Sequence, residues 1–287
     1  MTMTVNWPQG LVDELAARRC VIFLGAGASA NTDRSDDWAP PTWKNFLNGV
    51  AQGASIEVQS LAKKLIDDNQ YLDAAEVLKN HLGEDFQKEV ASAFGGQRDK
   101  TTRVHEFVWD LDQRMVVTTN FDTLYEQAVK MRAGNDVNFE AVTYRDSGWS
   151  DRIRSNTRTL FKAHGTVDDQ ESIVLTRSDF FRARKEYPEF LGVLSALSIT
   201  HTFFFIGASL LSDPNVSLFM ESGYRVSPGS KPHYALMPEF AHAAMKQATE
   251  ESFNLKVIEY SEGEHSLLRG AFARLLGDVE DARVNGV

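Results

Sequence analysis

Val116-Val117-Thr118-Thr119-Asn120-Phe121-Asp122 is an apolar run that ends abruptly in an amide and a carboxylate two residues apart. A buried parallel strand has no reason to finish in Asn-x-Asp unless its carboxyl end faces something polar. In an open α/β sheet, that end is where ligands bind. Two companions strengthen the signal: the glycine turn Gly25-Ala26-Gly27-Ala28-Ser29 after the run Cys20 to Leu24, and His164-Gly165 after Leu160 to Ala163.

Further apolar runs complete a strand set: Met115 to Thr118, Thr159 to Ala163, Ile173 to Leu175, His201 to Ile206, His233 to Met237 and Leu255 to Glu259. Helical stretches over Leu124 to Arg132, Pro188 to Ile199 and Ala241 to Ser252 separate several of them. Strands that alternate with helices, and that read as continuous apolar runs, predict a mostly parallel sheet covered on both faces. The fold class is therefore α/β and Rossmann-like. Between Asn31 and Pro41 the chain turns polar and acidic, which predicts a loop. From about 51 to 110 the periodicity is helical only, through Leu61, Leu65 and Ile66, then Ala74, Ala75 and Leu78, then Phe86, Val90 and Phe94. This predicts a helical insertion lobe of roughly sixty residues over one end of the sheet. The expected organisation is one domain over 1–287, with its core at about 11–50 and 111–275.

The 287 residues carry 43% hydrophobic content, enough for a buried core, and 40 acidic against 30 basic residues give a net charge of -10. That balance opposes nonspecific attraction to nucleic acid or to an anionic membrane, and no direct nucleic-acid partner is expected. Met1 to Gly10 lacks the charged and apolar regions of a signal peptide, and no run reaches about 18 apolar residues, so a soluble cytoplasmic protein is expected. Cys20 is the only cysteine, which excludes an intrachain disulfide and a cysteine-based zinc module.

Gly25-x-Gly27-x-x-Ala30 after a strand fits a relaxed dinucleotide fingerprint, in which small residues let the backbone approach a pyrophosphate. The acidic residue that would hold a ribose about twenty positions later is missing, since that neighbourhood reads Trp43-Lys44-Asn45-Phe46. A tight strand-to-helix turn with Ser29 as a cap is the competing account. Asn120 and Asp122 are also favoured N-caps for a helix starting at Thr123 or Leu124, and one of them is expected to cap it. Capping does not require both, and the Asn amide offers two donors and an acceptor to hold a water or a hydroxyl. His164 at a strand end is placed as a general base, against the commoner role of a satisfied core histidine, which is the reading for His105. Phe203 to Ile206 runs into Gly207-Ala208-Ser209, with Asp213-Pro214-Asn215 beyond it. Gly207 would let the backbone lie against a sugar or phosphate while Ser209 donates a hydrogen bond.

In their order and rough spacing, Gly25 to Ser29, Thr119 to Asp122, His164-Gly165 and Gly207 to Ser209 resemble the sirtuin NAD-binding fold over about positions 15 to 265. Thr119 stands where deacylating sirtuins carry Gln, and their zinc-binding cysteine pairs are absent. Pro41-Thr42-Trp43, Thr118 to Asp122, His164-Gly165 and Gly207 to Asn215 are more closely similar to the sirtuin-like domains of bacterial antiphage defence systems. That resemblance implies an NAD hydrolase that releases nicotinamide and ADP-ribose or a cyclic form of it, using NAD as substrate and no metal. It implies catalysis by Asn120, which orients the ribose or the attacking water, and by His164, which accepts a proton. Asp122 would position the nicotinamide end. Gly25, Ala26, Gly27 and Ser29 would cradle the pyrophosphate, Gly207 and Ser209 would meet the adenosine half, and Thr119 would join the contact set. Unregulated NAD hydrolysis would harm the host, so a homo-oligomer or a regulatory partner protein is expected. Two other classes fit the same residues: a noncatalytic sensor of NAD or ADP-ribose, and a zinc-independent protein deacylase.

Overall fold

In the computed structural model, strands β1 (Cys20–Leu24), β2 (Met115–Thr118), β3 (Phe139–Thr143), β4 (Arg158–Lys162), β5 (Thr202–Ile206), β6 (His233–Pro238) and β7 (Leu255–Tyr260) form one sheet. Their order is β3-β4-β2-β1-β5-β6-β7, and every pairing is parallel. The residues described are 5–30, 39–95, 101–208, 210, 216, 220, 229–261 and 265–286. Ser209, Asp213, Pro214, Asn215 and positions 31–38 of the expected acidic loop lie outside them.

The central strands are apolar throughout because both faces are covered. In β1, Cys20, Ile22 and Leu24 enter one core while Val21 and Phe23 enter the other. β5 alternates in the same way, with Phe204 and Ile206 on the first side and Phe203 and Phe205 on the second. The first core is closed by α1 (Gln9–Ala16), α7 (Arg103–Asp110), α8 (Leu124–Ala133) and the C-terminal helix His265–Val284. The second is closed by α9 (Trp149–Arg154), α10 (Arg177–Glu186) and α11 (Pro188–Thr200). Burying a large apolar side chain contributes on the order of 2 kcal/mol, so each covering helix is held mainly by its apolar stripe.

Between β1 and β2, α2 (Ala26–Ala30) is followed by α3 (Trp43–Ala51), α4 (Ile56–Asp67), α5 (Tyr71–Leu82) and α6 (Glu84–Phe94). Phe46, Leu47, Ile66, Ala74, Leu78, Phe86 and Phe94 form a third core here. It reaches the sheet domain through Phe121, Ile173 and Leu175, and Phe94 meets Phe121 edge to face at 5.1 Å between centroids.

Two expectations differ from the structure. Ile173 to Leu175 is not a strand of the sheet. The segment is extended, but its side chains serve two clients: Ile173 and Leu175 enter the helical core and Val174 the sheet core. A main-chain bond from Val174 N to His164 O at 2.9 Å ties it down. The second difference is β3, which has no expected counterpart. It is an edge strand with only Val142 buried, so it lacks a continuous apolar run.

His105 and His233 are both buried, and burial pushes the pKa of each down from its ordinary value to about 4. The unfolded chain therefore binds more protons than the folded one between the unfolded pKa near 6.5 and about 4. Stability from this source is intact above that window and is lost as pH falls through it. The expected loss is on the order of 2 kcal/mol per histidine at pH 5. His233 Nδ1 accepts from Phe203 N at 3.0 Å, so His233→Asn keeps an acceptor there and should flatten the acid limb of a denaturant-midpoint titration. Identical slopes for wild type and variant between pH 7 and pH 5 would show that His233 is not responsible.

Candidate functional site

Strand order reverses at β1, whose neighbours are β2 on one side and β5 on the other, so a crevice opens beyond the carboxyl ends of these strands. The turns after β1 and β5 lie directly against each other there. Gly25 N donates to Ile206 O at 3.0 Å and Gly27 N to Gly207 O at 2.9 Å. A Cβ on Gly25 would sit 2.4 Å from Ala208 Cα and Gly207 O, and one on Gly207, where φ is +65°, would sit 2.3 Å from Ala28 N. The glycines thus allow one backbone to lie on another. With Gly25, Gly27 and Ala28 amides engaged by Ile206, Gly207 and Gly25 carbonyls, the turn offers contact surface more than an array of donors.

A cleft of about 360 Å³ lies over this junction, lined among others by Gly25, Ala26, Gly27, Thr119, Gly207 and Ala208. Its volume is within the range of small-molecule sites. Trp43, Lys44 and Tyr71 of the helical lobe line it as well. Thr42 presents two of them: its hydroxyl caps α3 by accepting from Asn45 N at 3.4 Å, which starts the helix at the cleft wall. Pro41-Thr42 before an apolar helical stretch was a readable start signal for that helix. The position of Tyr71 depends on how the lobe folds back and leaves no local signal.

A narrower recess of about 30 Å³ shares Ala26, Trp43 and Thr119 with the cleft and reaches Ser29, Asn120 and Asp122. These three buried residues form a connected polar group. Asn120 Nδ2 donates to Gly25 O at 3.0 Å and to Ser29 Oγ at 2.9 Å, and the Ser29 hydroxyl bonds the Asp122 carboxylate. Because Nδ2 is committed, what Asn120 can offer a ligand is its acceptor Oδ1. Thr118 fixes the turn, receiving Asn120 N at 3.0 Å and donating to Leu24 O at 2.9 Å. Phe121 also lines the recess and joins the helical core, where it meets Phe94. The N-cap of α8 is Thr123 and makes no side-chain cap bond, so neither Asn120 nor Asp122 takes the expected N-cap position; Asp122 Oδ1, one residue before the cap, accepts from Leu124 N at 3.0 Å. Burial holds the Asp122 carboxyl above the usual carboxylate range, and the Lys162 charge offsets this only in part.

His164 follows the end of β4. Thr118 pairs with Lys162 in register, so Asn120 and His164 leave adjacent strands two residues past their last pairing. The imidazole is 1% exposed, lies edge to face on Phe180 at 5.0 Å and is not among the described lining residues of either recess. Gly165 must be glycine for a local reason, since its φ is +85° and a Cβ would lie 2.1 Å from Ser172 O. Among the described residues, no group of three His, Cys, Asp or Glu could hold a metal ion, and no helix is long and apolar enough to cross a membrane.

A family model described as a SIR2-like domain matches residues 114–258, just over half of the chain. The chain belongs to the SIR2-like domain family. This SIR2-like chain is similar to the NAD(+) hydrolase ThsA of Acinetobacter baumannii, 23% identical over 85% of this chain and 48% of that protein. It is also similar to the NAD(+) hydrolase ThsA of Enterococcus faecium, 25% identical over 75% of this chain and 42% of that protein. Similarity to defense-associated sirtuin 2 of Bacillus subtilis is 24% identity over 70% of this chain and 19% of that protein. The SIR2-like chain therefore spans less than half the length of these curated relatives. A solved SIR2 homologue in complex with NAD aligns over 99% of this chain and 98% of its own, at 13% identity and a TM-score of 0.47.

Proposed function

We propose that this chain hydrolyses NAD at the bond between nicotinamide and ribose, releasing nicotinamide and ADP-ribose or a cyclic form, as the NAD-depleting module of an antiphage defence system. The observation that carries this reading is the buried Asn120–Ser29–Asp122 network at the switch point of the sheet, in a SIR2-like chain. Support also comes from the curated relatives, among them two NAD(+) hydrolases and a defense-associated sirtuin. Nicotinamide leaves as a neutral molecule, taking the electron pair of the broken C–N bond. The protein need only stabilise an oxocarbenium-like ribose and deliver a nucleophile, for which metal chemistry is not required.

In this reading Asn120 Oδ1 accepts a hydrogen bond from the attacking water or a ribose hydroxyl. His164 takes the proton released as the new C–O bond forms. Asp122 holds the nicotinamide end through the network it shares with Ser29. Gly25, Ala26, Gly27 and Thr119 meet the pyrophosphate region with Lys44 as the nearby cation, and Gly207 with Ser209 meets the adenosine half. His164 is buried, so its role requires the bound nucleotide to displace the side chains over it. The same burial is what favours the second reading, binding of NAD without turnover.

The test is chromatographic. Purified protein is incubated with NAD, alone and with lysate of phage-infected cells as an activating source, and free nicotinamide is quantified. Release above the no-protein control is expected. Saturable NAD binding with no release in either arm would leave the sensor reading standing and overturn hydrolysis.

A further inference from the structure

Lys162 is a charge in a place where the sheet alone gives no reason for one. It closes β4 inside the apolar run Leu160-Phe161-Lys162-Ala163 and is 2% exposed. Lysine is almost never buried without partners, because removing an ammonium group from water costs several kcal/mol. Lys162 Nζ donates to the main-chain oxygen of Asp122 at 2.5 Å and to Glu126 Oε1 at 2.8 Å. Glu126 lies in the first turn of α8, whose first amide, Leu124 N, donates to Asp122 Oδ1, so both bonds close on the turn that presents Asn120. From there the connected groups run through the Asp122 carboxylate to the Ser29 hydroxyl and on to Asn120 Nδ2.

We propose that Lys162 is a positioning residue for Asn120: by binding the Asp122 main-chain oxygen and Glu126 it fixes the turn in which Ser29 donates to the Asp122 carboxyl group and accepts from Asn120. This deepens the NAD-cleaving reading and rests on it. A protonated Asp122 would present a donor to Ser29, turn that hydroxyl away and remove one of the two acceptors that orient the Asn120 amide. Among the described residues, the cation acting on Asp122 is Lys162, and the other titratable groups around this cluster are Glu126 and Tyr125 on α8 and His105 on α7. Burial holds His105 neutral at pH 7 and pushes the Tyr125 phenol up, so it stays protonated.

The experiment compares wild type with Lys162→Met, which keeps the aliphatic stem, and with Lys162→Met/Glu126→Gln, which also removes the half-buried carboxylate that would otherwise lose its lysine partner. Steady-state nicotinamide release is measured across pH, and the Asp122 carboxyl is titrated by carbon-13 NMR, assigned with Asp122→Asn. At pH 7 both variants should lose kcat by about 10- to 100-fold with KM for NAD changed by no more than about threefold, and kcat should recover as pH rises. The Asp122 titration midpoint should move up in both. A kcat deficit that is the same at every pH, or an Asp122 midpoint that does not move, overturns the proposal. If wild type itself releases no nicotinamide, the NAD-cleaving reading falls, and the Asp122 midpoint alone then decides the part played by Lys162.

Discussion

Asn120→Ala is expected to lower nicotinamide release by about three orders of magnitude, the range seen when a polar group that orients a nucleophile or stabilises a transition state is removed. Asn120 is 9% exposed and joins three elements: Nδ2 reaches Gly25 O after β1 and Ser29 Oγ on α2, while the residue itself follows β2. Alanine removes the acceptor Oδ1 proposed to meet substrate and leaves Ser29 Oγ without that donor, while Gly25 O keeps its bond from Ala28 N at 3.0 Å. Each buried group left unsatisfied costs on the order of 1–3 kcal/mol, so some loss of stability is expected too. Catalytic and structural losses separate by measurement. A thermal melt gives the folded fraction, and NAD affinity of the folded protein should change far less than kcat, because Oδ1 is asked to act on the reacting end and not on the pyrophosphate or adenosine. Asn120→Ala protein that turns over NAD at the wild-type rate per folded molecule would remove Asn120 from the mechanism.

The parts of this molecule that could be read from residues alone are those whose environment is set by near neighbours on both sides. β1 and β5 are legible because every residue in them is buried, whichever face it points to, and a run such as Thr202–Ile206 then has no polar interruption. β3 was not legible, because an edge strand needs apolar residues on one face only, and here only Val142 is buried. Ile173 to Leu175 misleads in the opposite sense: it is apolar and extended, but the alternation serves a junction between the helical core and the sheet core. The site divides in the same way. Asn120 and Asp122 stand out because an apolar strand ends in them, whereas the start of α8, one residue later than Asp122 could cap it, depends on how the turn closes. Lys162 interrupts an apolar strand, which is itself a signal, but its meaning requires the register that places β4 beside β2. Tyr71 reaches the cleft only because the lobe folds back over it.

The helical lobe and the Asn-Phe-Asp turn are mechanically linked. Phe121 is buried in the core of the lobe and meets Phe94, while its two neighbours belong to the polar network beneath the recess. Trp43, Lys44 and Tyr71 reach the cleft from the same lobe. Seating of the lobe therefore bears on both the cleft wall and the turn that carries Asn120.

Gly207→Ala is expected to be among the most damaging small changes at the described residues. Glycine at 207 has φ +65°, and an added methyl would lie 2.3 Å from Ala28 N and 2.7 Å from Gly27 C. Those neighbours are main-chain atoms, so no side-chain rotation relieves the contact, and the turns after β1 and β5 must separate. The left-handed conformation costs about 1 kcal/mol for a non-glycine residue, and breaking the main-chain contact brings the total to at least about 3 kcal/mol. For a chain of this size each kcal/mol lowers the melting temperature by about 2–4 °C, so a fall of about 6–12 °C is expected. Separation of the turns also moves Gly25 O and Ser29 Oγ, the two acceptors of Asn120, and activity per folded molecule should fall as well. Gly49→Ala is the matching control. Gly49 lies within α3 and an added methyl there meets nothing within 4 Å, so alanine should stabilise by about 0.5–1 kcal/mol. A Gly207→Ala protein that melts with wild type, while Gly49→Ala shifts upward as stated, would show that the two turns tolerate separation and that their glycines serve the ligand alone.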